Sequence, residues 1–303
     1  MARTDKDFIE RCSCDFGYKD LGAREKGEQK QALYKEIKEI LVGYYKGSAD
    51  MIGYFIGDSA EKKCWYYSGI KYDKYGLSGM EANEALFALY CDYPIFYFAD
   101  TSNVGGDFNV SIITPLVDYE FNRGDFRTFY SEKIREEIEG TAIKVASKGN
   151  CREKAKAIYD YISRNTSYNY NKGNDKWTNY VDIPSHSVLG YVRNKSAVCE
   201  GFASTYQIFM NYLSIPALSI SGIMYDDVEM TKEKGLHKRN IVYLPDEQNW
   251  IMVDVTIGVC GGEDLGFDIT KDSMKFAPLP DDRRKALSHI YEPRYKAIWG
   301  NFL

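Results

Sequence analysis

One cysteine, one histidine and one aspartate occur in the order that thiol-based acyl transfer requires. Cys199 stands in the segment VCEGFA at 198–203, and His237 and Asp254 follow it. A cysteine attacks a carbonyl carbon as the thiolate, so the reaction needs a base that takes the thiol proton and delivers it to the leaving group. A carboxylate that orients the imidazole completes such a set. The order predicts a nucleophile, a general base and an orienting residue.

The residues after Cys199 have the spacing of an amphipathic helix. A helix that begins at Cys199 would place the thiol beside free backbone N–H groups and the positive end of the helix dipole. Both favour a thiolate, and later the oxyanion that forms when the sulfur attacks. The apolar stripe that predicts this helix consists of Phe202, Tyr206, Phe209, Met210 and Leu213.

Two segments rich in Ile, Val, Tyr and Trp predict a hairpin that carries the other two residues. They cover 236–244 and 250–256, and Pro245-Asp246-Glu247 between them is typical of a turn. We expect a register that places His237 directly opposite Asp254, with Cβ atoms about 4.5 to 5.5 Å apart. A slip of one residue would place the two side chains on opposite faces of the sheet.

Each of these residues also has a purely structural interpretation. Cysteine is among the most buried residue types, so Cys199 could be a core thiol. His237 could lie at the surface beside Lys238 and Arg239, and Asp254 could make a local hydrogen bond at a strand end. The occurrence of all three in one order favours the catalytic interpretation.

Several spaced motifs resemble the transglutaminase-like core of the papain-like cysteine peptidase fold, most closely its bacterial branch related to kyphoscoliosis peptidase. The resemblance covers about residues 150–260 and implies that Cys199 is the nucleophile, His237 the general base and acid, and Asp254 the orienting carboxylate. The matching motifs are 198–203, 213–217, 220–222, His237 with Asn240, Trp250 with 253–256, and the preceding helix at 155–168.

The chain departs from that family directly after the histidine. The family usually has a small residue and a tryptophan there, whereas this chain has Lys238 and Arg239. These cations are candidates for binding substrate, since they could select an acidic substrate, or for reorienting a protonated histidine.

The expected oxyanion hole contains the backbone N–H of Cys199 and one side chain from the segment before the helix. Tyr168 is the candidate donor because it directly follows the helix that resembles the family. Trp177 and His186 are further candidates for contacting the substrate.

Composition limits the class of partner and the compartment. The 303 residues include 44 acidic and 39 basic ones, with a pI near 5.5, and no basic stripe is present, which argues against nucleic acid. No apolar run approaches the roughly 20 residues that cross a bilayer. No signal-peptide core is present near Met1. We expect a soluble chain, extracellular or at the cell surface if a signal peptide has been removed and otherwise cytoplasmic.

The cysteines argue against a structural metal. Seven is an odd number, so at least one thiol is unpaired, as a nucleophile must be. Cys12 and Cys14 are too close together for a usual zinc pair, and no second pair stands at metal spacing. No calcium loop is present either, so we expect neither a metal nor another cofactor.

The periodicity along the chain predicts an α+β fold, with helices packed on an antiparallel sheet and a cleft between the cysteine helix and the strands of His237 and Asp254. We expect a helical and β-hairpin region at 1–148, packed on the core, and a catalytic core with a C-terminal extension at 149–303. The predicted helices are 29–45, 79–90, 126–147, 152–165 and 281–290, the further strands 95–99, 108–119 and 267–270, the turn 103–107 and the loop 169–184.

These features favour a cysteine-dependent acyl-transfer enzyme that hydrolyses an amide in a peptide or protein. If a lysine amine replaces water as the acceptor, the same first step gives a protein-glutamine crosslinking transglutaminase. A non-catalytic binding or scaffold module of the same fold is also compatible with the motifs, as is a biosynthetic enzyme that acts on a small thioester or amide. The oligomeric state is open.

Overall fold

A computed structural model describes most of the chain in separate ranges. They are residues 5–48, 52–55, 63–66, 69–99, 105–107, 111–115, 117–118, 121–146, 149–170, 183–262, 265–270 and 275–278.

Helices dominate residues 5–48 and 69–99. Helix α4 begins at a capping box, in which the Ser78 hydroxyl accepts from the Glu81 N–H and the Glu81 carboxylate accepts from the Ser78 N–H. The helices are α1 (Asp5–Arg11), α2 (Phe16–Gly22), α3 (Gly27–Tyr45) and α4 (Gly79–Asp92), with a 3₁₀ turn at Asp73–Tyr75.

Short antiparallel strands accompany these helices. They are β1 (Ile52–Phe55), β2 (Lys63–Tyr66), β3 (Ile70–Lys71), β4 (Gly105–Asp107), β5 (Ile112–Thr114) and β6 (Val117–Asp118). They form two small sheets, ordered β1-β2-β6 and β3-β5-β4.

The structure differs from the predictions at three places in this region. Residues 95–99 are turns with a single bridge at Ala99, because consecutive aromatic side chains there are all buried instead of alternating between two faces. The strand predicted at 108–119 is interrupted at Pro115, which cannot donate a ladder hydrogen bond, and β5 and β6 lie on either side of it. The predicted turn at 103–107 contains β4.

The next elements lead to the cysteine. Helix α6 starts at a second capping box, formed by Asn150 and Glu153, and the short strands β7 and β8 pair in parallel. The elements are α5 (Gly124–Ala146), α6 (Cys151–Asn165), β7 (Ser167–Tyr168), α7 (Ile183–His186), a π-helical turn (Gly190–Asn194), β8 (Ser196–Ala197) and α8 (Cys199–Tyr212). The helices predicted at 29–45, 79–90, 126–147 and 152–165, and the helix beginning at Cys199, are confirmed to within two residues.

An antiparallel sheet packs against α8. Its strands lie in the order β11-β10-β9-β12, and β10 pairs with both β9 and β11. The chain is therefore α+β, as predicted. The elements are β9 (Ala217–Tyr225), β10 (Glu233–Leu244), β11 (Asn249–Val253), the short helix α9 (Val255–Val259) and β12 (Phe276–Pro278).

The predicted register of the hairpin is wrong by two residues. Leu244 pairs with Asn249 and Asn240 pairs with Val253, so the loop is longer than the predicted three-residue turn. Its last residue, Gln248, adopts a left-handed conformation with φ of 51°. A shift of two residues keeps every side chain on its face of the sheet, so His237 and Asp254 face each other diagonally.

Of the remaining predicted elements, one is wrong and the others cannot be compared with the described residues. The strand predicted at 267–270 is wrong, since Phe267 makes one isolated bridge to Val253 and β12 follows later. The predicted helix at 281–290 and most of the predicted loop at 169–184 lie outside the described residues.

Helix α8 lies at the centre of the packing. Every residue from Gly201 to Tyr212 is buried, and one hydrophobic cluster runs from Phe8 to Val255. Helix α1 contributes a hydrogen bond from Arg11 to the Tyr212 carbonyl at 3.0 Å. The first half of the chain therefore packs on the second, while the division at 148/149 stays a prediction. Within the described ranges, no helix is long and apolar enough to cross a membrane.

Candidate active site

Cys199 is the first residue of α8 and lies half-buried as a free thiol. The preceding residue, Val198, is extended and provides no side-chain cap. The thiol thus lies where the N–H groups of the first turn and the helix dipole favour negative charge.

The first turn of α8 is fixed by close backbone packing at Gly201. A Cβ added there would lie 2.3 Å from the Ser185 carbonyl oxygen and 2.9 Å from the Ala197 Cβ. The same carbonyl accepts a hydrogen bond from the Val198 N–H at 3.0 Å. Only glycine fits this contact, which anchors the start of α8 on α7 and β8.

His237 and Asp254 form a buried pair beside this helix start. The His237 Nε2 lies 2.7 Å from the Asp254 Oδ2, and the two residues are only 8% and 1% exposed. Asp254 directly follows β11 and caps α9, accepting from the Thr256 N–H at 3.1 Å. With Nε2 engaged by the carboxylate, Nδ1 is the ring nitrogen left for the thiol.

The charges of His237 and Asp254 shift the pKa of both side chains. Burial lowers the pKa of His237, but the Asp254 charge, its hydrogen bond and a hydrogen bond with the Cys199 side chain outweigh burial and raise it from 6.5 to about 9. Burial raises the pKa of Asp254, yet the charges of His237 and Arg239 hold it below its ordinary value. The arrangement favours an imidazolium that is bonded to the Asp254 carboxylate and lies next to the Cys199 side chain.

Arg239 lies inside the protein. It is 2% exposed, its Nη2 lies 3.3 Å from the Asp254 Oδ2, and its guanidinium stacks 4.1 Å from the centroid of the Phe276 ring. The sequence suggested a cation available to substrate, whereas the structure places this one behind Asp254.

Lys238 points to the other face of β10. Its Nζ donates to the Glu200 Oε1 at 2.7 Å, and the Glu200 Oε2 lies 2.9 Å from the His186 Nδ1. Burial alone would raise the pKa of Glu200, but the Lys238 charge and His186 lower it. Lys238 and His186 are therefore joined through one carboxylate beside Cys199.

Tyr168 lies next to the start of α8. Its ring is 6.5 Å from that of Phe202 and 4.9 Å from that of Tyr170. Burial and the charge of Cys199 raise the pKa of Tyr168 to about 12, with an opposing hydrogen bond from the Cys199 backbone. The hydroxyl keeps its proton at neutral pH. Trp177 lies outside the described residues.

Sequence reasoning missed the residues that join the elements of the site. Glu200 did not stand out as a partner of Lys238, although its place in the first turn of α8 was a signal. Asn240, noted only as part of a motif, donates to the Ala203 carbonyl at 3.0 Å and to the Ser219 hydroxyl at 3.2 Å. Gln207 accepts from the Ser219 hydroxyl at 2.7 Å. These bonds fasten α8 to β9 and β10.

The described residues contain no group of three or more His, Cys, Asp or Glu side chains that could hold a metal ion.

The comparisons with known proteins assign a domain to this region. Residues 139–255 match the family model of the Transglutaminase-like superfamily, so the chain carries a transglutaminase-like domain that includes Cys199, His237 and Asp254. No curated protein matches the chain.

Two solved structures are similar to part of the chain. One is a candidate cysteine protease from Cytophaga hutchinsonii, with 21% identity over 41% of this chain and 37% of the other, and a TM-score of 0.30. The second is a TGase, with 19% identity over 51% of this chain and 43% of the other, and a TM-score of 0.32. The chain thus spans about two fifths of the length of each.

Proposed function

We propose that the transglutaminase-like domain of this chain is a cysteine-dependent acyl-transfer enzyme that hydrolyses an amide in a peptide or protein. The observation that carries the proposal is the buried contact of 2.7 Å between His237 and Asp254, with Cys199 at the adjoining helix start. A buried imidazole held by a carboxylate next to a thiol is the arrangement that thiol nucleophiles need.

The first half-reaction follows from these three side chains. His237 takes the thiol proton of Cys199, and the sulfur attacks the amide carbonyl to give a tetrahedral oxyanion. The imidazolium then protonates the amine nitrogen, the C–N bond breaks, and a thioester with Cys199 remains. Asp254 stabilises the imidazolium throughout and keeps the ring oriented.

The oxyanion is assigned to the start of α8. The backbone N–H of Cys199 is one donor, and the Tyr168 hydroxyl, which is protonated and lies beside it, is the proposed second. Preorganised donors of this kind contribute about 3 to 4 kcal/mol each to the stability of the transition state.

Water is the proposed acceptor of the second half-reaction. His237 removes a proton from the water, hydroxide attacks the thioester, and the acid leaves with regeneration of the thiol. The likeness of the motifs at 198–203 and 253–256 to the kyphoscoliosis peptidase branch supports hydrolysis. An acceptor lysine would instead give an isopeptide crosslink, with the same nucleophile and base.

Selective alkylation tests the proposed thiol. At pH 6, iodoacetamide is expected to modify Cys199 before the other six cysteines, as read by peptide mass spectrometry, because the imidazolium stabilises its thiolate. His237→Ala should abolish this selectivity. The half-buried Cys151 provides a matched control, since burial and Asp246 raise its pKa. Equal reaction of all thiols would contradict the proposal.

Peptide cleavage and amine incorporation are measured with a peptide library in the presence and absence of a biotinylated amine. Cleaved peptides without amine incorporation support hydrolysis, and amine incorporation at glutamine identifies a transamidase. Loss of both signals in Cys199→Ala assigns the chemistry to this thiol. A wild-type protein whose selective thiol gives neither product fits a binding or scaffold module instead.

A further inference from the structure

Arg239 is a buried cation with few partners among the residues that the structure describes. Its ionic contact is the Asp254 carboxylate at 3.3 Å, and its Nη1 contacts the Met252 sulfur at 3.3 Å. Its Nε has no hydrogen-bond partner in the described ranges. Removal of a charge from water costs several kcal/mol unless the charge is well paired, so this arrangement is a poor source of stability.

The Arg239 guanidinium and the His237 imidazole both contact one oxygen atom of the Asp254 carboxylate. The Asp254 Oδ2 lies 2.7 Å from the His237 Nε2 and 3.3 Å from the Arg239 Nη2. The carboxylate therefore divides its charge between two neighbours on the same face of β10. A cation at that distance weakens the attraction between the carboxylate and the imidazolium.

Phe276 holds both side chains in this arrangement. Its ring lies under the guanidinium at 4.1 Å and presents a near-perpendicular contact to the His237 ring, with centroids 6.4 Å apart. Phe276 is fully buried on β12, which pairs with β9. The aromatic face replaces some of the hydration that the guanidinium has lost.

We propose that Arg239 is a positioning residue of the site, which holds the Asp254 carboxylate in place and neutralises part of its charge, so that His237 can release as well as take a proton. This role rests on the proposed function. An unopposed buried carboxylate would keep the imidazole protonated, whereas a general acid and base must cycle between both states.

The other described groups around His237 leave Arg239 as the counter-charge to Asp254. Cys199 of α8 faces the ring as a thiol or thiolate, β9 presents Gly222 opposite it, and β12 presents Phe276. From α6, Tyr159 lies near Asp254, and burial raises the pKa of its hydroxyl, which stays uncharged.

Histidine NMR of the full chain tests this role, since the chain contains only three histidines. In Arg239→Met, which keeps the apolar stack on Phe276, the midpoint of the His237 titration should rise by about one pH unit. The imidazolium next to Cys199 persists in this variant at pH 6, so the rate of Cys199 alkylation by iodoacetamide should stay at the wild-type level. Lys234→Met, on the same strand and with a 61% exposed side chain, should change neither.

The guanidinium itself provides a test that needs no charge-removing variant. In the wild-type protein, the ¹⁵N resonances of Arg239, identified by their loss in Arg239→Lys, should shift with the same midpoint as His237. Resonances that stay constant through the His237 transition would overturn the proposed role, as would a wild-type midpoint of the His237 titration in a folded Arg239→Met. If wild-type Cys199 is not selectively alkylated, the proposed function fails instead.

Discussion

Lys238 and Glu200 form an ion pair of 2.7 Å between the residues that directly follow His237 and Cys199 in the sequence. The pair ties β10 to the first turn of α8, on the face opposite the His237–Asp254 contact. Each side chain is about one quarter exposed, so solvent screens the pair only in part. We expect this ion pair to help fix the distance between the His237 ring and the Cys199 thiol.

Lys238→Met should lower the free energy of unfolding by about 1 to 3 kcal/mol, because it leaves a half-buried carboxylate with His186 alone. Urea denaturation measures this loss. Glu200→Gln should cost a similar amount, and the double variant should cost less than the sum of the single changes. Full additivity would mean that the two side chains do not interact in solution.

The His237–Asp254 pair should make stability depend on pH with a defined sign. Because the folded state raises the pKa of His237 from 6.5 to about 9, the contribution of His237 is complete below pH 6.5 and is lost as pH rises through 9. The lowered pKa of Asp254 stabilises the fold above the ordinary pKa of aspartate, and this contribution is lost at lower pH.

Denaturation of the wild type and of His237→Gln across the pH range checks this dependence. The stability difference between them should shrink by about 3 kcal/mol between pH 6 and pH 10. A difference that stays constant over this range would contradict the charged pair.

Asp254→Asn should lower the pKa of His237 below 6.5, because burial then acts without the opposing carboxylate. Alkylation of Cys199 at pH 6 should fall at least about tenfold as the imidazolium is lost. The ¹H and ¹⁵N resonances of His237 report the first effect and mass spectrometry the second. Asp160→Asn, which removes a carboxylate from an i,i+4 ion pair with Lys156 on α6, is the control and should leave both unchanged.

Gly201→Ala should displace the first turn of α8. The new Cβ would lie 2.3 Å from the Ser185 carbonyl oxygen, an overlap that costs about 1 to 3 kcal/mol and moves Cys199 relative to His237. Slower alkylation together with a lower midpoint in urea is the expected result. Gly140→Ala in α5, where an added Cβ meets no atom within 4 Å, should instead stabilise by about 0.5 to 1 kcal/mol.

The order of the site residues and the elements that carry Cys199 and His237 could be predicted from local sequence, whereas Asp254, predicted on a strand, follows β11 and caps α9. The apolar stripe after Cys199 defines a helix whose first residue is the cysteine, and the β-branched segments around His237 define β10. The hairpin register could not be predicted, because it depends on the loop conformation at Gln248, which is left-handed and carries no glycine or asparagine as a signal.

The partners of Lys238 and Arg239 could not be predicted from the local sequence pattern either. Alternation along β10 places the two cations on opposite faces, but the sequence does not say that Glu200 lies on one face and Asp254 on the other. Both contacts join residues from different elements. The same holds for 95–99, where burial of every aromatic ring overrides the strand pattern.

The burial of most of α8 has a consequence for how thiol reagents reach this protein. Among the described residues, α8 is buried from Gly201 to Tyr212, whereas Cys199 and Glu200 at its start are partly exposed. An electrophile is therefore expected to meet α8 at Cys199, next to the Glu200–Lys238 ion pair. Thiol-directed inhibitors of this protein should therefore gain selectivity from a polar group that hydrogen-bonds to this ion pair.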